Sequence, residues 1–464
     1  MALTRSSNSS RAVATDDSSG ITVIGEQRYP GTIHRPMKRL DLRQERGDLR
    51  NRLPRPEVAG EGPVAAVRDI LARVRERGDG ALRELTRQFD GASIDALRVP
   101  PAEVEAARQQ LAPSLRDALE ASRAAISSYH RHTVTAEPEH EHDGIVVRDL
   151  VRAVDRAGLY VPGGRARYPS TVLMTAIPAR VAGVSEVVLC TPPDKNGSVD
   201  QTTLAAAALA EVDEVYRVGG AQAIAAMAYG TETIRPVDVI VGPGNAYVSI
   251  AKRQVAQAGL VGVPSAFAGP SEVVVIADDT APTDFAAIDV IVQAEHGPDG
   301  LAWLVTWSEE AADRITDTIS RLTAEAPRRA EIEANFARGG YCVLVDGPEQ
   351  AMAVANLVAP EHLELMTTDP ERLLPLVRNA GAVFCGPYAP ASVGDYIAGP
   401  SHVLPTNGSA RFSGALRVDD FCKHIHVVSL DQPALSKVGP HVAALAEAEG
   451  LAAHAQSIRL RERS

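Results

Sequence analysis

Four short stretches of this chain carry groups that could move protons or hold a metal ion. Pro360-Glu361-His362-Leu363 sets a carboxylate beside an imidazole, the two groups most used to transfer protons and to activate water. Read as a helix start, with proline first and glutamate in the first turn, the pair would diverge by about 100 degrees and meet one ligand only at a cleft edge. The same residues are also ordinary helix-capping chemistry. Gln293 and His296 lie three apart near the end of a helix expected to begin at about residue 283, so they share a face, and Gly297-Pro298 ends that helix. Gly394-Asp395-Tyr396 and the following Gly399-Pro400-Ser401-His402 put a carboxylate and an imidazole on a Gly/Pro-rich loop. Glu449 and His454 flank Gly450 near the C-terminus, where the glycine should interrupt a helix. Aspartate with two histidines is a common ligand set for zinc, and glutamine would be an unusual addition. Each stretch has a plainer alternative, a hydrogen-bonded surface pair or an Asx turn beside a solvent-facing histidine. Glu137-Pro138-Glu139-His140-Glu141-His142-Asp143 looks metal-rich but lacks an apolar anchor, and it reads as a solvated connection.

Glycine turns form a second group. Val161-Pro162-Gly163-Gly164, Gly219-Gly220-Ala221-Gln222 and Gly242-Pro243-Gly244-Asn245 each follow a run with strand character. In an open parallel sheet such turns line the crevice where ligands bind, and helix N-terminal amides there favour phosphate. Together they suggest a dinucleotide, although the strict fingerprint is absent, since Tyr247 stands where a third glycine or alanine belongs. Glycines that merely permit tight turns would look the same.

The elements that must position these residues follow from periodicity. Residues 64–89 and 101–130 have helical spacing of apolar residues. From residue 158 the pattern becomes β-α units, with strands expected at 158–161, 186–191, 214–218, 237–241, 272–277, 301–306, 341–345 and 380–385, and helices between them. Two α/β lobes in tandem account for this, and 464 residues exceed what one core usually serves. A small C-terminal domain should begin near residue 417. Lys and Arg number 47 against 59 Asp and Glu, a net charge of −12, which disfavours nucleic acid as a partner. Four scattered cysteines, no apolar run of membrane-spanning length and a Ser-rich start without an apolar signal core lead to the expectation of a cytoplasmic protein with a mobile N-terminal tail.

Taken in order, these stretches resemble histidinol dehydrogenase from about residue 36 to 464, with Gly158-Leu159-Tyr160-Val161-Pro162-Gly163-Gly164, Ala268-Gly269-Pro270-Ser271-Glu272 and His402-Val403-Leu404-Pro405-Thr406 adding to those quoted above. The resemblance implies one Zn2+ per subunit bound by Gln293, His296, Asp395 and, from the partner of a domain-swapped homodimer, His454. It implies NAD held by Tyr160, Gln222 and Asn245. Ser271, Gln293, His296, His362, Asp395, His402, Glu449 and His454 would surround L-histidinol, with Glu361 and His362 as the catalytic pair of a four-electron oxidation. The expected architecture is two Rossmann-like parallel-sheet domains with a small N-terminal helical segment and a small swapped C-terminal domain. Its divisions are a disordered tail (1–35), an N-terminal segment (36–59), a first α/β domain carrying the metal and catalytic residues (60–157 and 272–416), an NAD-binding domain (158–271) and the swapped domain (417–464). Ser401 and Ser413-Gly414-Ala415-Leu416 depart from the family pattern, which leaves a relative acting on another small polar alcohol or diol as the alternative. A zinc hydrolase and a nucleotide-binding assembly protein are the readings from other classes.

Overall fold

The computed structural model describes residues 36–54, 62–163, 167–264, 269–295 and 297–462, with the backbone of two strands upstream, Val13–Asp16 and Thr22–Gly25. Two parallel sheets form its centre. The larger has eight strands in the order Val13–Asp16, Thr22–Gly25, Lys38–Asp41, Gly340–Leu344, Leu301–Thr306, Glu272–Ala277, His362–Met366 and Ala382–Cys385. From Lys38–Asp41 onward all neighbours are parallel, whereas the two upstream strands join antiparallel. The stretch expected to be a disordered tail therefore contributes two edge strands, in keeping with the β-branched composition of Thr22-Val23-Ile24. The segment expected at 36–59 supplies one more strand, and the helical content among its described residues is the single turn Leu49–Asn51. Glu272–Ala277 and Leu301–Thr306 are buried along nearly their whole length, as strands covered on both faces must be.

The smaller parallel sheet runs Glu214–Arg217, Glu186–Thr191, Arg156–Tyr160, Val239–Val241. Its helices Gln201–Leu209 and Gly220–Tyr229 are buried on every side. An apolar helix of that kind needs a second layer outside it. That layer is the N-terminal half of the chain. Gly62–Asp90 packs Val67, Leu71, Val74 and Leu85 into one core with Ile224, Met227 and Val255. Pro101–Gln109 and Pro113–His132 share the opposite core with Val172 and Leu204. Residues 62–132 thus belong to the smaller lobe, which corrects the grouping of 60–157 with 272–416. The lobe is an insertion between Lys38–Asp41 and Glu272–Ala277 of the larger sheet.

Two further readings change. The stretch 101–130 is two helices, restarted by Pro113 at the first turn of the second. His362 opens a strand rather than lying on a helix. The preceding helix Pro348–Val358 stops at Ala359 in a left-handed conformation (φ 53), and the chain then enters the sheet between Glu272–Ala277 and Ala382–Cys385.

Cys422–Ser429 pairs along its full length with Ile145–Ala153, and Glu139–His142 completes a small antiparallel sheet. Within the acidic, histidine-rich stretch, Glu139–His142 is thus a strand, and its four residues are exposed to solvent. Beyond it, helices Gln432–Ala448 and Ala452–Glu462 pack on each other and turn at Gly450 (φ 76). This arm leaves Ile425, Val428, Val442, Leu445, Leu451 and Leu460 exposed. Among the described residues, no helix is long and apolar enough to cross a membrane.

Candidate active site

In the larger lobe the functional residues gather at the amino ends of the parallel strands. Ser271 directly precedes Glu272–Ala277, Gly300 precedes Leu301–Thr306, and Glu361 precedes His362–Met366. Within that last strand, alternation sends His362, Glu364 and Met366 to one face and Leu363 and Leu365 to the other, where the two leucines join an apolar core. Asp289 and Gln293 lie one turn apart on the helix Thr283–Ala294, and Asp289 faces Glu364. Asp395 lies on the short helix Ala391–Tyr396, its Oδ1 3.4 Å from His362 Nε2. The Ser271 hydroxyl donates to the Glu361 carboxylate. A Cβ placed on Gly300 would stand 3.1 Å from Gln293 Nε2 and 3.2 Å from the Ser271 carbonyl oxygen, so the glycine keeps these two side by side. A continuous set of neighbours, Asp395, His362, Glu361, Ser271 and Gln293, results from residues drawn from four separate segments of the chain.

His402 is held at both nitrogens. Nδ1 pairs with the Asp395 carbonyl at 2.9 Å and Nε2 with Thr171 Oγ1 at 3.0 Å, on the smaller lobe's helix Pro169–Ala182. With Ser401 Oγ donating to the Met174 carbonyl, this loop fastens the two lobes together beside the site.

Burial dominates the electrostatics. It raises the Glu361 carboxyl above its ordinary range, against the lowering influence of His362 and the Ser271 hydroxyl. Burial pulls the His362 imidazole down, but the Glu361 and Asp395 carboxylates outweigh it, and the net shift is upward. Glu272 is pushed up to about 8, by burial first, although the Gly408 amide donates to it at 3.1 Å. Burial lowers His402. Asp289 and Glu364 are both raised by burial, and Glu364 is raised further by Asp289. Sequence reasoning missed Asp289, Glu364 and Glu272. Their signal was a carboxylate inside an apolar run, as in Leu363-Glu364-Leu365 and Ile288-Asp289-Val290.

In the smaller lobe the glycine turns meet at the carboxyl ends of the strands. Gly163 and Gly219 both pack against the Pro192 side chain, where a Cβ would approach to 2.8 and 2.5 Å. Gly242 (φ 105) is pressed so closely on the Tyr160 carbonyl that a Cβ would stand 2.1 Å from its oxygen. The Tyr160 hydroxyl accepts the Gly220 amide at 3.1 Å, at the start of Gly220–Tyr229, and Gln222 on that helix is 1% exposed. Asn245 caps the helix Ala246–Gln257, its Oδ1 accepting the Val248 amide at 3.1 Å. The result is a cradle of small residues ending in two helix N-termini, at the sheet edge where α/β proteins take nucleotides. Gly164 lies outside the described residues.

The profile of the family described as histidinol dehydrogenase matches residues 53–462. The chain belongs to the histidinol dehydrogenase family. Histidinol dehydrogenase from Synechococcus sp. is 48% identical over 86% of this chain and 92% of its own length. That from Chlorobium chlorochromatii is 45% identical over 90% and 97%. The crystal structure of histidinol dehydrogenase from Elizabethkingia anophelis superposes with a TM-score of 0.89 at 34% identity, covering 93% of this chain and 99% of the other. The chain is accordingly an oxidoreductase with this family's α/β architecture.

Within this chain the expected site residues fall into three groups. Ser271, Gln293, Glu361, His362, Asp395 and His402 are brought together in the larger lobe and at its seam. Tyr160, Gln222 and Asn245 are brought together in the smaller one. Glu449 and His454 stand exposed on the C-terminal arm, which packs chiefly on itself, and His296 lies outside the described residues. Among the described residues no cluster of three or more His, Cys, Asp or Glu is close enough to hold an ion. The donor set nevertheless suits one. Glu361 Oε2 and Gln293 Nε2 are buried with no hydrogen-bond partner; a cation there would offset the crowded carboxylates, and Gln293 would turn its amide oxygen toward it.

Proposed function

We propose that this chain is a zinc- and NAD-dependent enzyme that oxidises L-histidinol through L-histidinal to L-histidine, working as a homodimer with shared sites. The observation that carries the reading is the buried Glu361-His362 pair set against Ser271 and Asp395 in a chain of this family. Gln293, His296, Asp395 and His454 of the partner subunit would hold the ion, and Tyr160, Gln222 and Asn245 the dinucleotide. When bound, the ion would supply positioning of the substrate's amine and imidazole nitrogens, and NAD would supply the hydride acceptor.

The chain's own groups handle the protons. His362 takes the hydroxyl proton as the carbinol carbon gives up hydride, and Asp395, 3.4 Å away, stabilises the imidazolium so formed. Glu361 removes a proton from the water that adds to the aldehyde while the His362 imidazolium returns its proton to the carbonyl oxygen, giving a geminal diol. Loss of a second hydride and two protons from that diol leaves the carboxylate, so two NAD are reduced per histidinol. Ser271 orients Glu361. Both bases are buried, which keeps bulk solvent from the aldehyde held beside them. His402, its nitrogens engaged by Asp395 and Thr171, frames the substrate space, and Glu449 would close it from the partner.

Sharing between subunits is supported by complementary apolar surfaces. Phe285, Ile288, Val393 and Ile397 are exposed at the rim of the site, and the C-terminal arm exposes Val442, Leu445 and Leu451. Measurement of NADH formed per histidinol consumed, with and without a chelator, tests the reading. Two per molecule with loss on chelation is expected. Turnover of another diol in place of histidinol overturns the substrate, and undiminished substrate loss without NAD overturns the redox chemistry.

A further inference from the structure

Two buried carboxyl groups have no part in that scheme. Glu364 is 1% exposed and Asp289 7%. Their carboxyls face one another and share a hydrogen bond, which requires one proton between them. Glu364 also accepts, through Oε1, the Ala391 amide at 3.1 Å. Each end of this arrangement leads to a working side chain. Ala391 opens the short helix that carries Asp395. Asp289 is one helical turn before Gln293. Glu364 is one strand repeat after His362, on the same face. Hydrogen bonds of this kind, buried and bridging separate elements, fix geometry more effectively than the apolar contacts around them, because an alternative packing leaves a polar group unsatisfied.

We propose that the Asp289–Glu364 pair is the positioning device of the active site, setting the distances among Gln293, His362 and Asp395 by tying together the helix, the strand and the short helix that bear them. The inference rests on the reading of Gln293 and Asp395 as ion ligands. It assigns Asp289 and Glu364 no contact with substrate. Their effect passes through the three side chains they align.

Zinc affinity of the full-length protein, measured by competition with a chelator, gives the test, with NAD affinity recorded in parallel. Glu364→Leu fills the space but cannot bond to Asp289 or Ala391. It should weaken zinc by about 10- to 100-fold, the usual consequence of losing a group that orients metal ligands, and leave NAD affinity in the other lobe unchanged. Glu364→Gln can still accept from Ala391 and donate to Asp289, and should restore zinc affinity to near the parent's. Asp289→Asn should behave like Glu364→Gln. Zinc affinity unchanged in Glu364→Leu overturns the proposal, as does a Glu364→Gln protein no better than Glu364→Leu. If Glu364→Leu also loses NAD binding, it has misfolded, and the contrast between Glu364→Gln and the parent decides instead. A parent whose zinc affinity is indifferent to Asp395→Asn refutes the ligand assignment itself, a result separate from either outcome for Glu364.

Discussion

The two lobes use opposite ends of their parallel strands and opposite materials. The smaller lobe works at the carboxyl ends with backbone: Gly163, Gly219 and Gly242 let the chain approach Pro192 and Tyr160 closely, and two helix N-termini point outward. The larger lobe works at the amino ends with buried ionisable side chains, Glu272, Glu361, His362 and Glu364. Amide-lined turns offer partial positive charge to an anion without burying a formal charge. Clustered carboxylates do the reverse, and their raised pKa values record the strain of holding like charges out of water. A cation or a proton must relieve that strain. The difference teaches that backbone in one lobe offers what an anion needs and side chains in the other offer what a cation or proton needs, which is the division of labour the proposed function assigns to them.

The sharpest break of this comparison removes a base. Glu361→Gln and His362→Asn should each lower kcat by about 100- to 10,000-fold, with NAD affinity and thermal unfolding close to the parent's; comparable rates would take both groups out of the mechanism. Next, co-expressed Asp395→Asn and His454→Asn chains should be nearly inactive separately and recover activity in mixed dimers, where one site keeps both residues. No recovery would confine each site to one chain. Gly242→Ala, whose Cβ collides with the Tyr160 carbonyl, should raise the Kd for NAD about tenfold or more, since the turn must open by about 1 Å or more. Its zinc content should stay at the parent's level, and loss of zinc as well would mean the lobes are not separable.

Smaller effects concern pH. Glu361 and His362 must be unprotonated to accept protons, and both are shifted upward, so kcat/KM should rise with pH on an acid limb lying above that of an ordinary carboxylate. His362 lowers Glu361, hence His362→Asn should move the residual limb to still higher pH; a shift the other way would contradict the pairing. The smallest expected change is in stability. Burial pushes the Glu272 carboxyl up to about 8 in the folded protein, from an ordinary 4.5. Between those values the folded protein binds the extra proton, so Glu272's contribution is full below pH 4.5 and is lost as pH rises toward 8. Glu272→Gln carries no such loss, and its stability relative to the parent should improve between pH 5 and 8 by roughly 1 kcal/mol per unit, read from urea unfolding.

Legibility in the sequence differed between the same two regions. The glycine turns, the strands Glu186–Thr191, Glu272–Ala277 and Leu301–Thr306, and the break at Gly450 follow from composition and spacing within a few residues. The neighbourhood of His362 did not. Pro360-Glu361 resembles a helix start locally, and only its place between two other strands makes His362–Met366 extended. Asp289 and Glu364 look misplaced when each is read alone, because the proton that makes them compatible exists only once they face each other.

By itself, the sequence determined the family, the alternation of β and α units, and which residue types were available for proton transfer, nucleotide contact and metal binding. Tertiary structure alone decided that residues 62–132 cover the smaller sheet, that His402 bridges the lobes, and that Ser271, Gln293, Glu361 and Asp395 become neighbours. The reason is physical: turn geometry and helix periodicity are short-range, set by adjacent backbone sterics. Layer packing and charge burial depend instead on what covers each surface, and the covering element can lie more than a hundred residues away, as for Thr171 with His402 and for the helix Gly62–Asp90 with Ile224.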